Sequence, residues 1–327
     1  MADLLLYLSL LFVGFLLGSK CIDKKEKFSF VGKIQTICIF LLVFTMGTRM
    51  GSNREIIDNL KTIGLSALLF TVIIFVFVMF SLHIARKALR MNAFGDLVGK
   101  DEKKGKQEKV KFELNKMTVF VVLAVLLGMI VGYFLILSSV EKGIFLGGDI
   151  GRFSDLASTL ISIELCLLLF FVGIDLGFSK GAFSNIKKVG LRILVFPIVT
   201  ILASLLGGVI SSVILGLSIK EGLMIASGFG WYSLAPGIIM DAGYITASAI
   251  SFLHNVLREM AAILFIPFVA KGVGYIETTG LPGAAAMDVC LPVLEKSTKP
   301  EVAIYGFISG VILSFLVPIL VPLIISL

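Results

Sequence analysis

The sequence predicts an all-α polytopic membrane protein, with about 8–10 transmembrane or re-entrant segments, an inverted three-helix repeat and broken helices in the C-terminal third. Three observations carry this. First, 57% of the 327 residues are hydrophobic and only 16% charged, with a mean hydropathy of +1.04. A soluble domain of this length needs far more polar surface, so the excess apolar area faces lipid. Second, the apolar residues fall in runs of membrane-crossing length. Third, the chain resembles itself at an offset of 126 residues.

The runs cover 4–19, 34–50, 62–84, 117–137, 156–176 and 191–217. Each supplies roughly 16–27 residues, which at about 1.5 Å per residue spans a hydrocarbon core of about 30 Å with some tilt or thinning. Beyond residue 220 the pattern is less regular. The stretch 221–244 is interrupted by Gly228, Gly230, Pro236 and Gly237, and 279–294 is short and broken by Pro282, Gly283 and Pro292. Between them, 248–269 reads as one continuous helix, and 302–325 as a long closing helix.

Asp3 precedes the first run, and Lys20, Lys24, Lys25 and Lys27 follow it. That is the reverse of a cleaved signal peptide, so the first helix is expected to be retained. Lys and Arg number five, ten and four in the first, third and fifth loops, against three, two and one in the second, fourth and sixth. The resulting 19 against 6 puts the odd loops in the cytoplasm and the N-terminus outside. The net charge of +7 is therefore loop charge, and no nucleic-acid partner is expected.

The repeat aligns residues 42–65 with 168–191 without a gap, giving eight identities in 24, Gly47/Gly173 and Gly51/Gly177 among them. Composition alone would give roughly two or three. The preceding runs each hold a Gly-xxx-Gly pair, Gly14/Gly18 and Gly128/Gly132. Spacing of this kind also serves ordinary close helix packing. As a repeat, it makes segments one to three and four to six copies, and an odd number of spans per copy inverts one relative to the other. The organisation read from this is a first repeat over 1–85, a basic cytoplasmic loop over 86–116, a second repeat over 117–217 and a transport region over 218–327.

Cys21, Cys38, Cys166 and Cys290 show no CxxC spacing and the chain has two histidines, so neither a disulfide framework nor a metal centre is expected. Protease signatures such as HExxH are absent, and an intramembrane enzyme is the weaker alternative.

Ionisable groups within apolar runs are costly unless paired or wet, which makes each a functional candidate. Glu164 and Asp175 belong to the fifth run, and Arg49 stands at the repeat position of Asp175 with the opposite sign. Asn255, Arg258 and Glu259 share one face at i, i+3, i+4 and form either a structural ion pair or a polar cavity lining. Asp288 lies between Gly283 and Pro292, where non-helical backbone requires a protein-buried or wet setting. It suits a cationic ligand or a proton relay. The other break holds Trp231, Tyr232 and Ser233, and the indole is a candidate cation–π partner for an ammonium or an interfacial anchor.

The run Ala226-Ser-Gly-Phe-Gly-Trp-Tyr-Ser-Leu234 resembles the bacterial lysine exporter (LysO) family. So do Asn255-x-x-Arg258-Glu259 with Ile266-Pro267, Gly283-Ala-x-Ala-Met-Asp288, Leu291-Pro292-Val293-Leu294 and the Ser309–Ser314 region. The resemblance implies export of L-lysine and toxic lysine analogues across the bacterial cytoplasmic membrane, and intramembrane acidic residues that matter, with Asp288 the position carried over. No cofactor is expected beyond a coupling H+ or Na+, and the partners are lysine and the bilayer, with a homo-oligomer left open. In this reading Asp288 takes an ammonium or the coupling proton, and Arg258 or amides near Gly228 and Gly230 take the carboxylate. A carrier of another solute, such as a sodium-coupled organic anion carrier, is the main rival.

Overall fold

The computed structural model describes residues 2–21, 30–96, 116–137, 150–178 and 191–327. Most of the basic loop 86–116, the loop with Lys142 and the repeat identities at Asn185, Lys187 and Gly190 lie outside the described residues.

The described chain is helical. The first triplet is α1 (Ala2–Lys20), α2 (Phe30–Gly51) and, after the one-turn α3 (Arg54–Asp58), α4 (Leu60–Ala88). The second is α5 (Lys116–Val131, ending in a π-helical turn at Gly132–Leu137), α6 (Ile150–Phe178) and α7 (Val195–Leu215). Then come α8 (Ile219–Ala226), α9 (Leu234–Asp241), α10 (Ile245–Gly272), α11 (Tyr275–Thr278), a 3-10 turn (Gly283–Met287), α12 (Leu291–Ser297) and α13 (Pro300–Ser326). Among the described residues, six helices are long and apolar enough to cross a membrane, with shorter apolar stretches at Ser9–Lys20 and Val119–Phe134.

Local chemistry sets the ends. Gly216, at φ +69°, terminates α7 in the left-handed conformation. Ser218 and Glu221 then form a reciprocal capping box that starts α8. On α4, Ala67, Phe70, Ile74, Val78 and Leu82 are buried, whereas Leu68, Val72, Val76, Phe80 and Ile84 are exposed. Both faces are apolar because one meets protein and the other meets lipid.

The glycine pairs explain how the triplets interlock. A Cβ at Gly47 or Gly51 would collide with the backbone of Val125 or Met129 on α5, and one at Gly173 or Gly177 with Leu11 or Phe15 on α1. Reciprocally, Gly128 and Gly132 meet Phe44 and Thr48 on α2, as Gly14 and Gly18 meet Phe170 and Ile174 on α6. Every contact of one pair has its counterpart in the other when the triplets are exchanged. Close backbone approach of this kind, without large side chains between, is how helices gain packing energy in lipid. The direction follows too. Thr45 bonds Glu164 and Arg49 reaches Ser154, so α2 and α6, equivalent helices of the two triplets, run antiparallel. Gly207 against Ile74, with Gly280 lying against both Thr200 and Leu82, sets α4 and α7 antiparallel as well.

The third segment and the chain just after it are tied to the C-terminal region by polar contacts. Arg86 and His83 bond the buried Glu277 at 2.7 and 2.8 Å, and Lys299 pairs with Asp96.

Candidate functional site

Two interrupted segments meet face to face against α10. In the first, α8 ends at Ala226 and the chain turns through Gly228–Phe229–Gly230 before α9 begins. Phe229 and Gly230 both have positive φ, and a Cβ at Gly230 would stand 2.6 Å from the Pro282 carbonyl. In the second, Gly283 at φ +66° lies directly on the Phe229 carbonyl, so no side chain fits there. The Ala284 amide donates to the Phe229 carbonyl at 2.8 Å and joins the two breaks.

The α10 face holds this junction in place. Asn255, fully buried, accepts from the Gly230 amide at 2.6 Å and donates to the Ser251 carbonyl at 2.8 Å. Arg258, 1% exposed, donates to the carbonyls of Leu281 at 3.0 Å and Gly280 at 3.1 Å, and to the Ser204 hydroxyl at 3.4 Å. Carbonyls released by the chain break thus find donors within the protein, as buried backbone polar groups require.

Beside the junction is a cavity of about 230 Å³. Its walls come from the start of α2 (Gln35, Thr36, Ile39), the end of α6 (Val172, Asp175), the first break (Trp231, Tyr232, Ser233), Glu259 of α10, the second break (Met287, Asp288) and Ser314 of α13. Gly310 allows this part of α13 to close on the backbone of Met287 and Ala284. Asp288 is exposed to the cavity, and one of its carboxylate oxygens accepts from the Val289 amide. Three carboxylates line the space, and no Lys or Arg is among its described lining residues. Asp175 and Asp288 thus face one space from different elements, the end of α6 and the second break. The volume lies below the range of about 300–1,000 Å³ usual for drug-sized ligands.

Of the nine residues singled out from sequence, Asp175, Trp231, Tyr232, Ser233, Glu259 and Asp288 line this cavity. Asn255 and Arg258 lie behind it, facing the breaks, although their helical spacing suggested one shared face with Glu259. The substrate-carboxylate role expected of Arg258 and of the Gly230 amide does not fit this geometry. Backbone carbonyls occupy the guanidinium, and Asn255 occupies the amide. Glu164 is elsewhere, bonded to Thr45 at 3.0 Å towards the opposite end of α2 and α6.

The sequence reading missed Gln35 and Thr36, which are ordinary neutral residues in an apolar run, and noted Ser314 only within a motif, with no role at the site. It also missed Asp241, which accepts from Tyr7 at 2.7 Å and from Ser162 at 2.5 Å. A carboxylate five residues after Pro236 in an apolar stretch was the available signal.

Comparison with known proteins places the chain in a family. The family model described as Lysine exporter LysO matches residues 8–99 and 122–325. The chain is 38% identical over 160 residues to "Lysine exporter LysO" of Escherichia coli (strain K12), covering 48% of this chain and 52% of that protein. The chain thus spans about half the length of that relative. It is 34% identical over 160 residues to "Putative lysine exporter" of Haemophilus influenzae, covering 48% of this chain and 79% of that protein. No solved structure matches the chain.

Proposed function

The chain belongs to the lysine exporter LysO family, and from that premise we propose that it carries L-lysine, with toxic lysine analogues, out across the bacterial cytoplasmic membrane. The observation that carries the substrate reading is the acidic cavity. Lysine at neutral pH has two ammonium groups and one carboxylate. Asp175, Glu259 and Asp288 provide for the ammonium charges, with Trp231 in the same wall as a cation–π partner. The carboxylate is received at the N-terminal end of α9, where Tyr232 and Ser233 border the cavity and the helix dipole favours an anion. Charged groups removed from water need such partners on both signs, because an unpaired charge in a dry site costs several kcal/mol.

The loop charges put the N-terminus outside, and with it the start of α2 and the end of α6 on the cytoplasmic side. The cavity then opens toward the cytoplasm, where an exporter collects its cargo. Export against a gradient draws on an entering H+ or Na+. Against a carrier of organic anions, both candidate arginines are engaged with backbone carbonyls, Arg258 with Leu281 and Gly280 and Arg49 with Met240.

Counterflow in proteoliposomes tests the reading. Internal lysine should drive uptake of labelled lysine, with arginine and ornithine competing and glutamate not. Counterflow driven by glutamate and indifferent to lysine would reject it.

A further inference from the structure

The cavity occupies one end of the α2–α6 pair, and a second polar cluster occupies the other. There Asp241, at the C-terminal end of α9, is held by Tyr7 of α1 and Ser162 of α6. Arg49 of α2 donates to the Met240 carbonyl at 2.9 Å, a cation on the last turn of that short helix. Gly237 seats the middle of α9 against Leu42 and Leu165.

The repeat relates the two ends. Adding 126 to the cavity residues Gln35, Thr36 and Ile39 gives Ile161, Ser162 and Leu165, and subtracting it from Val172 and Asp175 gives Met46 and Arg49. All five equivalents lie at the end gripped by α9. Ile161, Leu165 and Met46 have no exposed surface, whereas Thr36 and Asp175 are exposed. One wall is therefore built twice, open at one end and shut at the other by a helix of eight residues. Asn255 and Pro282 pin Gly230 before that helix, whereas Gly243 after it has positive φ and nothing crowds it. A position like Gly243 absorbs hinge motion, so the end of α9 swings while its start stays fixed.

We propose that Asp241, with Tyr7, Ser162 and Arg49, is the outer gate. The ammonium-bearing solute leaves through a second cavity walled by Met46, Arg49, Ile161, Ser162 and Leu165, which opens when the end of α9 releases these residues. The two cavities exchange as the two halves of the inverted repeat exchange conformations. This rests on the transport reading and on its orientation.

The test is the reactivity of Ile161→Cys toward a membrane-impermeant maleimide in intact cells, with labelling at position 161 read by mass spectrometry. With the gate intact the thiol reacts slowly. Adding Tyr7→Phe removes one hydrogen bond to a carboxylate and keeps the ring, and should speed labelling about tenfold. Asp241→Ala removes both bonds and should speed it further. An unchanged rate in Tyr7→Phe overturns the gate, whether or not Asp241→Ala reaches the membrane. The readout contains no lysine, so faster labelling together with failed lysine counterflow would fault the substrate reading and leave the gate standing.

Discussion

Arg49 and Asp175 occupy the same position in the two triplets, 126 residues apart, and meet opposite fates. Arg49 is 7% exposed with its guanidinium on the Met240 carbonyl, while Asp175 is exposed on the wall of the acidic cavity. A repeat of one scaffold has placed a cation at the shut end and an anion at the open end.

Asp288→Asn keeps the shape of the second break and removes one charge from the cavity. It is expected to abolish lysine efflux at unchanged membrane abundance. Loss of a desolvated charge partner costs about 2–5 kcal/mol, a factor of tens to thousands in affinity. Efflux by the variant at wild-type rate and equal abundance would remove Asp288 from the site.

Arg258→Ala should act on stability before selectivity. It strips donors from the Leu281 and Gly280 carbonyls and unties the two breaks. Each buried carbonyl left without its donor costs about 1–3 kcal/mol. A lower melting temperature in detergent and reduced membrane abundance are expected, and Arg258→Lys should not restore them, because a single ammonium cannot reproduce the planar fork. A normal melting temperature with altered substrate preference would contradict this.

Gly47→Val and Gly173→Val should be equivalent lesions, each driving a side chain into the backbone of the facing helix, Val125 in one case and Leu11 in the other. Overpacking of this kind costs about 1–3 kcal/mol or more. Gly64→Val, with open space around it, is the control. Thermal denaturation should rank Gly64→Val near wild type and the other two well below it. Tolerance at Gly47 or Gly173 would argue against the interlocked packing.

The basic loop 86–116 should be cytoplasmic. A thiol introduced by Lys104→Cys is expected to resist an impermeant reagent in intact cells and to react in inside-out vesicles. Rapid labelling in intact cells would reverse the orientation and with it the direction in which the cavity opens.

The membrane class, the long helices and the two chain breaks were legible in the residues themselves, because lipid tolerates few charges and helices tolerate few Gly–Pro interruptions. The spacing of Gly47/Gly51 and Gly173/Gly177 could be read as well, but not which helix each faced. In a bilayer, core and lipid faces are equally apolar, as on α4, so periodicity cannot orient a helix. For the same reason sequence put Arg258 and Glu259 together, whereas folding turned one to the backbone carbonyls and the other to the cavity. Asp241 lay in plain view and gained meaning only when Tyr7 and Ser162, 234 and 79 residues away, closed on it. By itself the sequence determined that charges are scarce and where the backbone breaks. Only tertiary structure decided which of those charges face open space, because burial and partnering depend on neighbours brought together from every part of the chain.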